Sequence, residues 1–239
     1  SMAKSYTGTL VGIAMDEGLI QSDREPITHY LPELGKRDPR FHDITIRHLL
    51  DMRSGLRFNE GSYNLRDDAV KLGFRPKLEK NILKIKIKEA PGKFKYQSIN
   101  TQLLGLIVQR ASGKPLQQYL EEKIWDPIGT EHAATWNVDS KKRKQVMMSA
   151  AINATARDYA KFGRLYLKKG QLNGKHLIPP LWIRQVSSAD TMEKYEGYKN
   201  QWWNSRVTQQ YKDSIRATRS KRNKKYTFIQ KEQSSYSLS

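Results

Sequence analysis

The sequence contains no cysteine, which excludes disulfides, thiolate metal sites and a cysteine nucleophile. This absence favours neither the cytoplasm nor the periplasm. Histidine is also scarce, and the five histidines follow neither an HExxH pattern nor a paired spacing, which argues against a zinc site. Long hydrophobic runs are missing as well, because no apolar stretch approaches the roughly 20 residues needed to span a bilayer.

Positive charge is in large excess, with a formal net charge of +19. Such a charge favours polyanion binding in general, but its distribution argues against a nucleic-acid groove. Residues 204–239 carry nine Lys and Arg against two Asp and Glu, whereas the other lysines are spread singly between apolar positions. We interpret residues 1–203 as one globular region, and residues 204–239 as a basic polar tail that is either disordered or translated out of frame.

The tail also provides an alternative function from another class. Its cations would bind an anion or a nucleic acid, with an affinity that falls steeply as the salt concentration rises. The residues concerned are Arg216, Arg219, Lys221, Arg222, Lys224 and Lys225. Basic runs of this kind are more often solvated than bound to a partner.

Apolar spacing and turn residues predict a mainly helical chain. Predicted helices cover residues 6–16, 44–52, 64–72, 101–111, 115–124 and 159–167. We expect the first of these to be amphipathic, and we expect Gly113 to end the fourth. Apolar and charged residues alternate only in part over residues 82–88, so this segment is compatible with either a strand or a helix. The dipeptide Asn173-Gly174 predicts a tight turn between two short segments.

The first candidate for chemistry is the pair Ser1 and Lys4 in the opening SMAK. At the start of a helix, positions i and i+3 share a face, so the lysine amine can reach the serine hydroxyl. A serine attacks well only when a base removes its proton, and burial near a helix N-terminus lowers the pKa of a lysine toward that role. Two other interpretations stay open from this motif alone: Ser1 is merely a chain start, or its own α-amino group is the base.

The second candidate is the pair Tyr96 and Ser98, two positions apart at the start of a predicted helix. A tyrosine beside a lysine ammonium favours the phenolate form and can relay a proton between nucleophile and leaving group. Structural roles are open as well: the Ser98 side chain would cap the helix, and Tyr96 would be a packed aromatic whose hydroxyl is satisfied.

Several segments occur in the order found in a known superfamily. They are SMAKSYTGTLVGIAMDEGLI, ITIRHLLDMRSGL, PGKFKYQSINTQLLGLIVQRASGKPL, IWDPIG and ATARDYAKFGRLYLKKGQLNGKHLIPPLWI. The first resembles a nucleophile helix with S-x-x-K, and the third resembles a segment with Tyr-x-Asn or Tyr-x-Ser. Over residues 1–203 the chain therefore resembles serine β-lactamases and penicillin-binding proteins, on the branch of class C β-lactamases, related esterases and 6-aminohexanoate-dimer hydrolases.

This resemblance implies an α/β (α+β) fold of the β-lactamase and transpeptidase type. It also implies a two-step acyl transfer on a small molecule. Ser1 would attack an amide, lactam or ester carbonyl while Lys4 and Tyr96 handle protons, and water would then hydrolyse the acyl-enzyme. The resemblance implies no metal and no organic cofactor, and it suggests a periplasmic or cell-envelope location.

Three further residues acquire expected roles from the resemblance. Ser98 stands where the β-lactamase-like members carry asparagine, so it would hold Lys4 or contact the substrate. A serine at this position favours an esterase or amide hydrolase over a dedicated β-lactamase. Phe58 and Tyr63, which follow the SGL segment, are candidate substrate contacts by position.

Two departures from the family pattern shape these expectations. A Lys/His-x-Gly motif, which the family carries on a sheet edge strand, is not found in residues 204–239, and the chain begins at the nucleophile. We therefore expect mainly the helical region of the fold, with much of the antiparallel sheet missing. Because that strand supplies one backbone N–H of the oxyanion hole, a catalytically inactive truncated remnant is the alternative to an active hydrolase.

Overall fold

Helices dominate the part of the chain that the structure, a computed structural model, describes: residues 1–61, 67–74, 76–187 and 197–203. The α-helices of these ranges are α1 (Met2–Asp16), α2 (Pro32–Arg37), α3 (Ile46–Leu50), α4 (Asp68–Phe74), α5 (Leu78–Ile82), α6 (Ser98–Ser112), α7 (Leu116–Leu120), α8 (Ala156–Leu167) and α9 (Pro180–Ser187). Two 3₁₀ helices cover Ile27–His29 and Pro39–Asp43, and a π-helical turn, Glu121–Trp125, continues α7. None of the described helices is both long enough and apolar enough to cross a bilayer.

The strands of the described residues are short and form antiparallel pairs. The pairs are β1 (Leu56–Arg57) with β2 (Lys86–Ile87), β3 (Thr135–Trp136) with β4 (Ile152–Asn153), β5 (Gln171–Leu172) with β6 (Lys175–His176), and β7 (Tyr198–Lys199) with β8 (Trp202–Trp203). The expected mainly helical form of an α+β fold is therefore confirmed for this part of the chain. The basic tail, residues 204–239, lies outside the described residues, and the anion-binding hypothesis that rests on it stays a prediction.

Helix α1 is surrounded by the rest of the protein. Residues 3–14 are all buried, and the helix contacts α6, α7 and β8. A helix buried on every side needs apolar or small side chains all round, and alanine, glycine, serine and threonine supply them here. The expectation of an amphipathic helix over residues 6–16 is therefore wrong, and the helix begins earlier because Ser1 caps it.

Two glycines allow the close packing of α1. A Cβ added at Gly8 would lie 2.8 Å from the backbone oxygen of Asn200. A Cβ added at Gly12 would lie 2.4 Å from the ring of Trp182 in α9. Real Cβ atoms do not approach other atoms so closely, so these two positions need glycine for the helix to reach its neighbours.

Two hairpins contain the same type of turn. Asn173 and Gly174, between β5 and β6, have φ of 49° and 77°, which confirms the tight turn predicted there. Asn200 and Gln201, between β7 and β8, have φ of 51° and 66°. Positive φ at both central residues is the mark of a type I′ turn, and glutamine is a costly residue at such a position. The second turn was not predicted, because its sequence lacks the glycine that signals this conformation.

The hydrogen bonds of Gln201 stabilise the positive φ of its backbone. Its side chain is buried, and its Nε2 donates to the carbonyls of Leu49 and Leu50, both at 3.0 Å. Its Oε1 accepts from the hydroxyl of Thr101 at 2.6 Å, and its backbone carbonyl accepts from the hydroxyl of Ser5 at 3.2 Å. One buried glutamine therefore joins the hairpin to α1, α3 and α6.

Other elements differ from the predictions mainly at their ends. Helix α6 begins at Ser98, earlier than predicted, and ends at Gly113, whose φ of 68° is the expected left-handed cap. The ambiguous residues 82–88 contain the last residue of α5 and the strand β2. Of the helix predicted over residues 64–72, the first three positions lie outside the described residues, and α4 begins at Asp68.

Adding one methyl group at two helical glycines should change stability in opposite directions. At Gly12 the new Cβ would meet the Trp182 ring at 2.4 Å, so Gly12→Ala should lower the free energy of unfolding by about 1–3 kcal/mol. At Gly163 in α8 nothing lies within 4 Å of the added atom, so Gly163→Ala should raise it by about 0.5–1 kcal/mol. Urea denaturation followed by circular dichroism measures both changes. Stabilisation by Gly12→Ala would contradict the close packing of α1 on α9.

Candidate active site

Lys4 lies in the first turn of α1, and the residue is only 4% exposed. Its Nζ donates hydrogen bonds to the hydroxyl of Ser98 at 2.7 Å and to the carbonyl of Ser149 at 3.0 Å. Burial lowers the pKa of Lys4 from 10.5 to about 8, and the nearby carboxylate of Glu60 opposes part of that shift. The amine can therefore exchange protons close to neutral pH.

Ser98 connects Lys4 to a carboxylate. It is the first residue of α6, and its hydroxyl donates to Oε1 of Glu60 at 2.5 Å while accepting from Lys4. Its backbone N–H donates to Oε2 of the same carboxylate. The capping interpretation of Ser98 is wrong, because Gln97 is the N-cap residue and the Ser98 hydroxyl is engaged with Glu60 and Lys4.

Ser1 is exposed and is the N-cap residue of α1. Its Oγ accepts a long hydrogen bond, 3.4 Å, from the N–H of Ala3. The first N–H groups of a helix lie at the positive end of its dipole. In α1 the N–H of Lys4 also donates to the backbone carbonyl of Ser1, at 3.2 Å. Ser1 therefore combines an accessible hydroxyl with nearby backbone donors, and the buried amine of Lys4 follows on the same helix.

Tyr96 lies in the segment that leads into α6 and is half-buried. Its ring stacks on Trp203 at 5.6 Å between centroids and meets Tyr198 edge-on at 5.5 Å. The Nζ of Lys4 lies 5.4 Å from the centre of the Tyr96 ring, within the range of a cation–π interaction. The structure thus brings Tyr96 next to Lys4, and the hairpin of β7 and β8 fixes the position of its ring.

The structure does not bring Phe58 to this cluster. Its side chain belongs to the hydrophobic core and is 4% exposed. Its backbone carbonyl accepts from the Gln97 Nε2 at 2.5 Å and from the Lys95 Nζ at 3.3 Å. Phe58 follows β1, and the side chain of that position turns toward the core rather than toward Lys4. Tyr63, the other candidate substrate contact, lies outside the described residues and stays a prediction.

Glu60 is the site residue that sequence reasoning missed. It lies in an irregular segment after β1, and 38 residues separate it from Ser98. No local pattern marks it, because an acidic residue in a loop is ordinary and its partner comes from another helix. Its contact with Ser98 is visible only in the folded chain.

A cavity of about 410 Å³ opens beside the hydrogen-bonding partners of Lys4. Its polar lining consists of Glu60, Asp67, Ser98, Gln102, Asn137, Asp139 and Ser149. The rest of its wall is largely small or aliphatic, with Ala69, Val70, Leu72, Val138, Met147, Ala150 and Ala151. A larger cavity of about 760 Å³ lies between the end of α7 and the pair β3–β4, and it contains none of the candidate catalytic residues.

Among the described residues, no group of three or more His, Asp and Glu side chains is arranged to hold a metal ion.

Comparisons with known proteins agree on one family. The family model described as Beta-lactamase matches residues 1–218. Among curated proteins, the chain is 27% identical over 225 residues to the 6-aminohexanoate-dimer hydrolase of Paenarthrobacter ureafaciens, covering 85% of this chain and 56% of that protein. The chain spans about half the length of the curated relatives that match most of it.

Solved structures show the same likeness. "Putative 6-aminohexanoate-dimer hydrolase from Bacillus anthracis" has a TM-score of 0.71 and 28% identity, over 85% of this chain and 57% of that one. A penicillin binding protein from Bacillus halodurans has a TM-score of 0.63 and 18% identity, over 83% of this chain and 67% of that one. A D-stereospecific amidohydrolase from Streptomyces sp. has a TM-score of 0.60 and 18% identity, over 84% and 68%. The last two share the fold, and the predicted fold class is confirmed.

Replacing Lys4 by methionine should reveal its lowered pKa as a dependence of stability on pH. With a pKa of about 8 when folded and 10.5 ordinarily, the folded chain binds fewer protons than the unfolded chain between those values. The free energy of unfolding therefore rises with pH across this window. Below the window, the full cost of burying the charged amine lowers it. Relative to Lys4→Met, the free energy of unfolding of the wild type should rise by on the order of 2–3 kcal/mol from about pH 7 to about pH 11.

Urea denaturation at both pH values measures this difference. The matched control is Lys36→Met, at an exposed lysine of α2. A difference between wild type and Lys4→Met that does not change with pH would contradict a buried amine at Lys4.

Proposed function

The chain belongs to the beta-lactamase family, and we propose that it is a serine hydrolase that cleaves amide, lactam or ester bonds through an acyl-enzyme on Ser1. The observation that carries this proposal is the hydrogen bonding of the buried Lys4 amine. A neutral lysine amine has two N–H bonds and one lone pair. Since Ser98 and Ser149 accept the two N–H bonds, the lone pair is left to take the proton of Ser1.

Acylation then follows ordinary serine chemistry. The Oγ of Ser1 bonds to the carbonyl carbon of the substrate as Lys4 removes its proton, and the carbonyl oxygen becomes an oxyanion. The backbone N–H groups at the start of α1 and the positive end of its dipole stabilise that charge. When the oxyanion collapses, the bond from carbon to the leaving nitrogen or oxygen breaks, and the leaving group needs a proton.

Tyr96 is the residue that delivers this proton in the proposed mechanism. Its ring is held beside Lys4 by Trp203 and Tyr198, so its phenol can pass the proton from Lys4 to the leaving group. Water then attacks the acyl-enzyme, and the same groups work in reverse. The carboxylic acid leaves, and the hydroxyl of Ser1 regains its proton.

The cavity beside Lys4 favours a linear, aliphatic amide among the possible substrates. Its wall is mostly small and aliphatic, which suits a methylene chain. Three carboxylates, those of Glu60, Asp67 and Asp139, also line it and disfavour a substrate whose carboxylate would enter this cavity. Two of the similar proteins are named as a 6-aminohexanoate-dimer hydrolase and a D-stereospecific amidohydrolase, names that point to amide bonds.

Labelling with a fluorophosphonate probe tests whether Ser1 is an activated nucleophile. We expect peptide mapping to find the probe on Ser1, and Ser1→Ala should abolish both labelling and the hydrolysis of a short aliphatic amide or ester, with a loss of roughly 10³-fold or more. Ser22→Ala, at a partly exposed serine outside the site, is the matched control and should leave both unchanged. Turnover that survives Ser1→Ala would refute the assignment. A folded wild type that neither labels nor turns over substrate would support the inactive alternative.

The pH dependence of kcat/KM tests Lys4 and Tyr96. Because the neutral amine of Lys4 is the proposed base and burial sets its pKa at about 8, activity should rise with pH through a midpoint near that value. Tyr96→Phe keeps the stacked ring and removes the phenol, so kcat should fall strongly while Ser1 remains open to the probe. A profile that is flat from about pH 6 to about pH 10 would contradict the role of Lys4.

A further inference from the structure

Glu60 makes two hydrogen bonds to one residue of the site. Its carboxylate accepts the hydroxyl proton of Ser98 at 2.5 Å and also accepts the backbone N–H of Ser98. Glu60 is half-buried, and it lies at the N-terminus of α6, where the helix dipole stabilises a negative charge. A single carboxylate therefore fixes both the backbone and the hydroxyl of Ser98.

A serine hydroxyl in the place of Ser98 is ambiguous by itself, since it has one proton to donate and two lone pairs that accept. Facing Lys4, it can accept an N–H bond, or it can donate its own proton to the lone pair of the amine. The second arrangement would occupy the lone pair that has to accept the proton of Ser1. An ionised carboxylate only accepts, so Glu60 draws the hydroxyl proton of Ser98 to itself and leaves oxygen lone pairs facing Lys4.

We propose that Glu60 is a positioning residue for this reaction: it orients the hydroxyl of Ser98 so that the lone pair of Lys4 stays free to accept the proton of Ser1. The inference rests on the proposed function. Glu60 acts through its charge as well, because a carboxylate near the amine raises the pKa of Lys4 against the larger effect of burial. Removing the carboxylate should therefore change two separable quantities, the direction of one hydroxyl and the pKa of Lys4.

Other titratable groups surround the pair and have to be distinguished from Glu60. They are the α-amino group of Ser1, the phenols of Tyr96 and Tyr198, and the carboxylates of Asp67 and Asp139 in the same cavity. The two aspartates are engaged by backbone N–H groups, Asp67 by Gly61 at 2.8 Å and Asp139 by Leu78 at 3.1 Å. Glu60 is the carboxylate that alters the pKa of Lys4. Because Glu60 also acts to raise the pKa of the Ser1 α-amino group and of Tyr198, the titration has to be followed at Lys4 itself.

The charge effect can be measured without any substrate. In protein labelled with ¹³C at the lysine Cε, the signal that disappears in Lys4→Met belongs to Lys4, and its titration reports the pKa of that amine. Glu60→Gln should lower this pKa by about half a unit or more. Glu122→Gln, at a carboxylate paired with Lys114, is the matched control and should leave it unchanged. An unchanged pKa of Lys4 in Glu60→Gln overturns the inference, whether or not the protein turns over substrate.

The orientation effect can be measured with a double-mutant cycle. The side-chain oxygen of asparagine only accepts, so Ser98→Asn should present an acceptor to Lys4 without help from Glu60. We expect Glu60→Ala to lower kcat/KM by roughly tenfold or more in the wild-type background, and by less than about threefold when Ser98→Asn is also present. Equal losses in the two backgrounds would mean that Glu60 only holds the start of α6, and they would overturn the inference.

Two controls keep the outcomes distinct. Thermal unfolding of the four proteins of the cycle shows whether a loss of activity is a loss of folding. Labelling of Ser1 in the wild type separates this inference from the proposed function: a wild type that does not label refutes the proposed function. A wild type that labels, and whose rate and pH profile of labelling are unaffected by Glu60→Ala, refutes the role of Glu60.

Discussion

Lys4 sits on a helix that the protein surrounds, so its amine has to find every hydrogen-bond partner in the interior. The start of α6 supplies Ser98, and the segment before β4 supplies the carbonyl of Ser149. A buried polar group without hydrogen-bond partners destabilises the folded state by about 1–3 kcal/mol. The packing of α1 is therefore stable only when the Lys4 amine is also hydrogen-bonded. The burial that makes this demand is also the main cause of the lowered pKa of Lys4. Stability and chemistry are therefore set by one feature of the fold.

Features that depend on neighbours in the sequence were predictable. Gly113 ends α6, and Asn173-Gly174 forms a hairpin turn, because a few residues decide each of these conformations. The placement of Ser1 and Lys4 on one helix is local in the same sense. The position of Tyr96 beside Lys4 was expected from the resemblance of several ordered segments, which carries long-range information that periodicity alone does not.

Features that depend on distant partners were not predictable. The burial of α1 on all faces results from the hairpin and the helices that pack on it. A helical wheel of residues 6–16 shows the side chains of that helix but not these neighbours. Ser98 looks like a helix cap in the sequence, yet a carboxylate 38 residues away takes its proton. Phe58 follows a strand of only two residues, too short for alternation to show which side faces the core.

The hydrogen bond between Ser5 and Gln201 joins segments that a ribosome makes at very different times, since 196 positions separate them. At synthesis rates of about 5–20 residues per second, α1 waits roughly 10–40 s for the hairpin that completes its burial. During that interval its polar and small side chains are open to solvent, and the amine of Lys4 holds its proton as any surface lysine does. The burial of the Lys4 amine is thus completed only after the hairpin of β7 and β8 has been made. Contacts of such long range also make folding slow, so α1 is made long before the hairpin that encloses it.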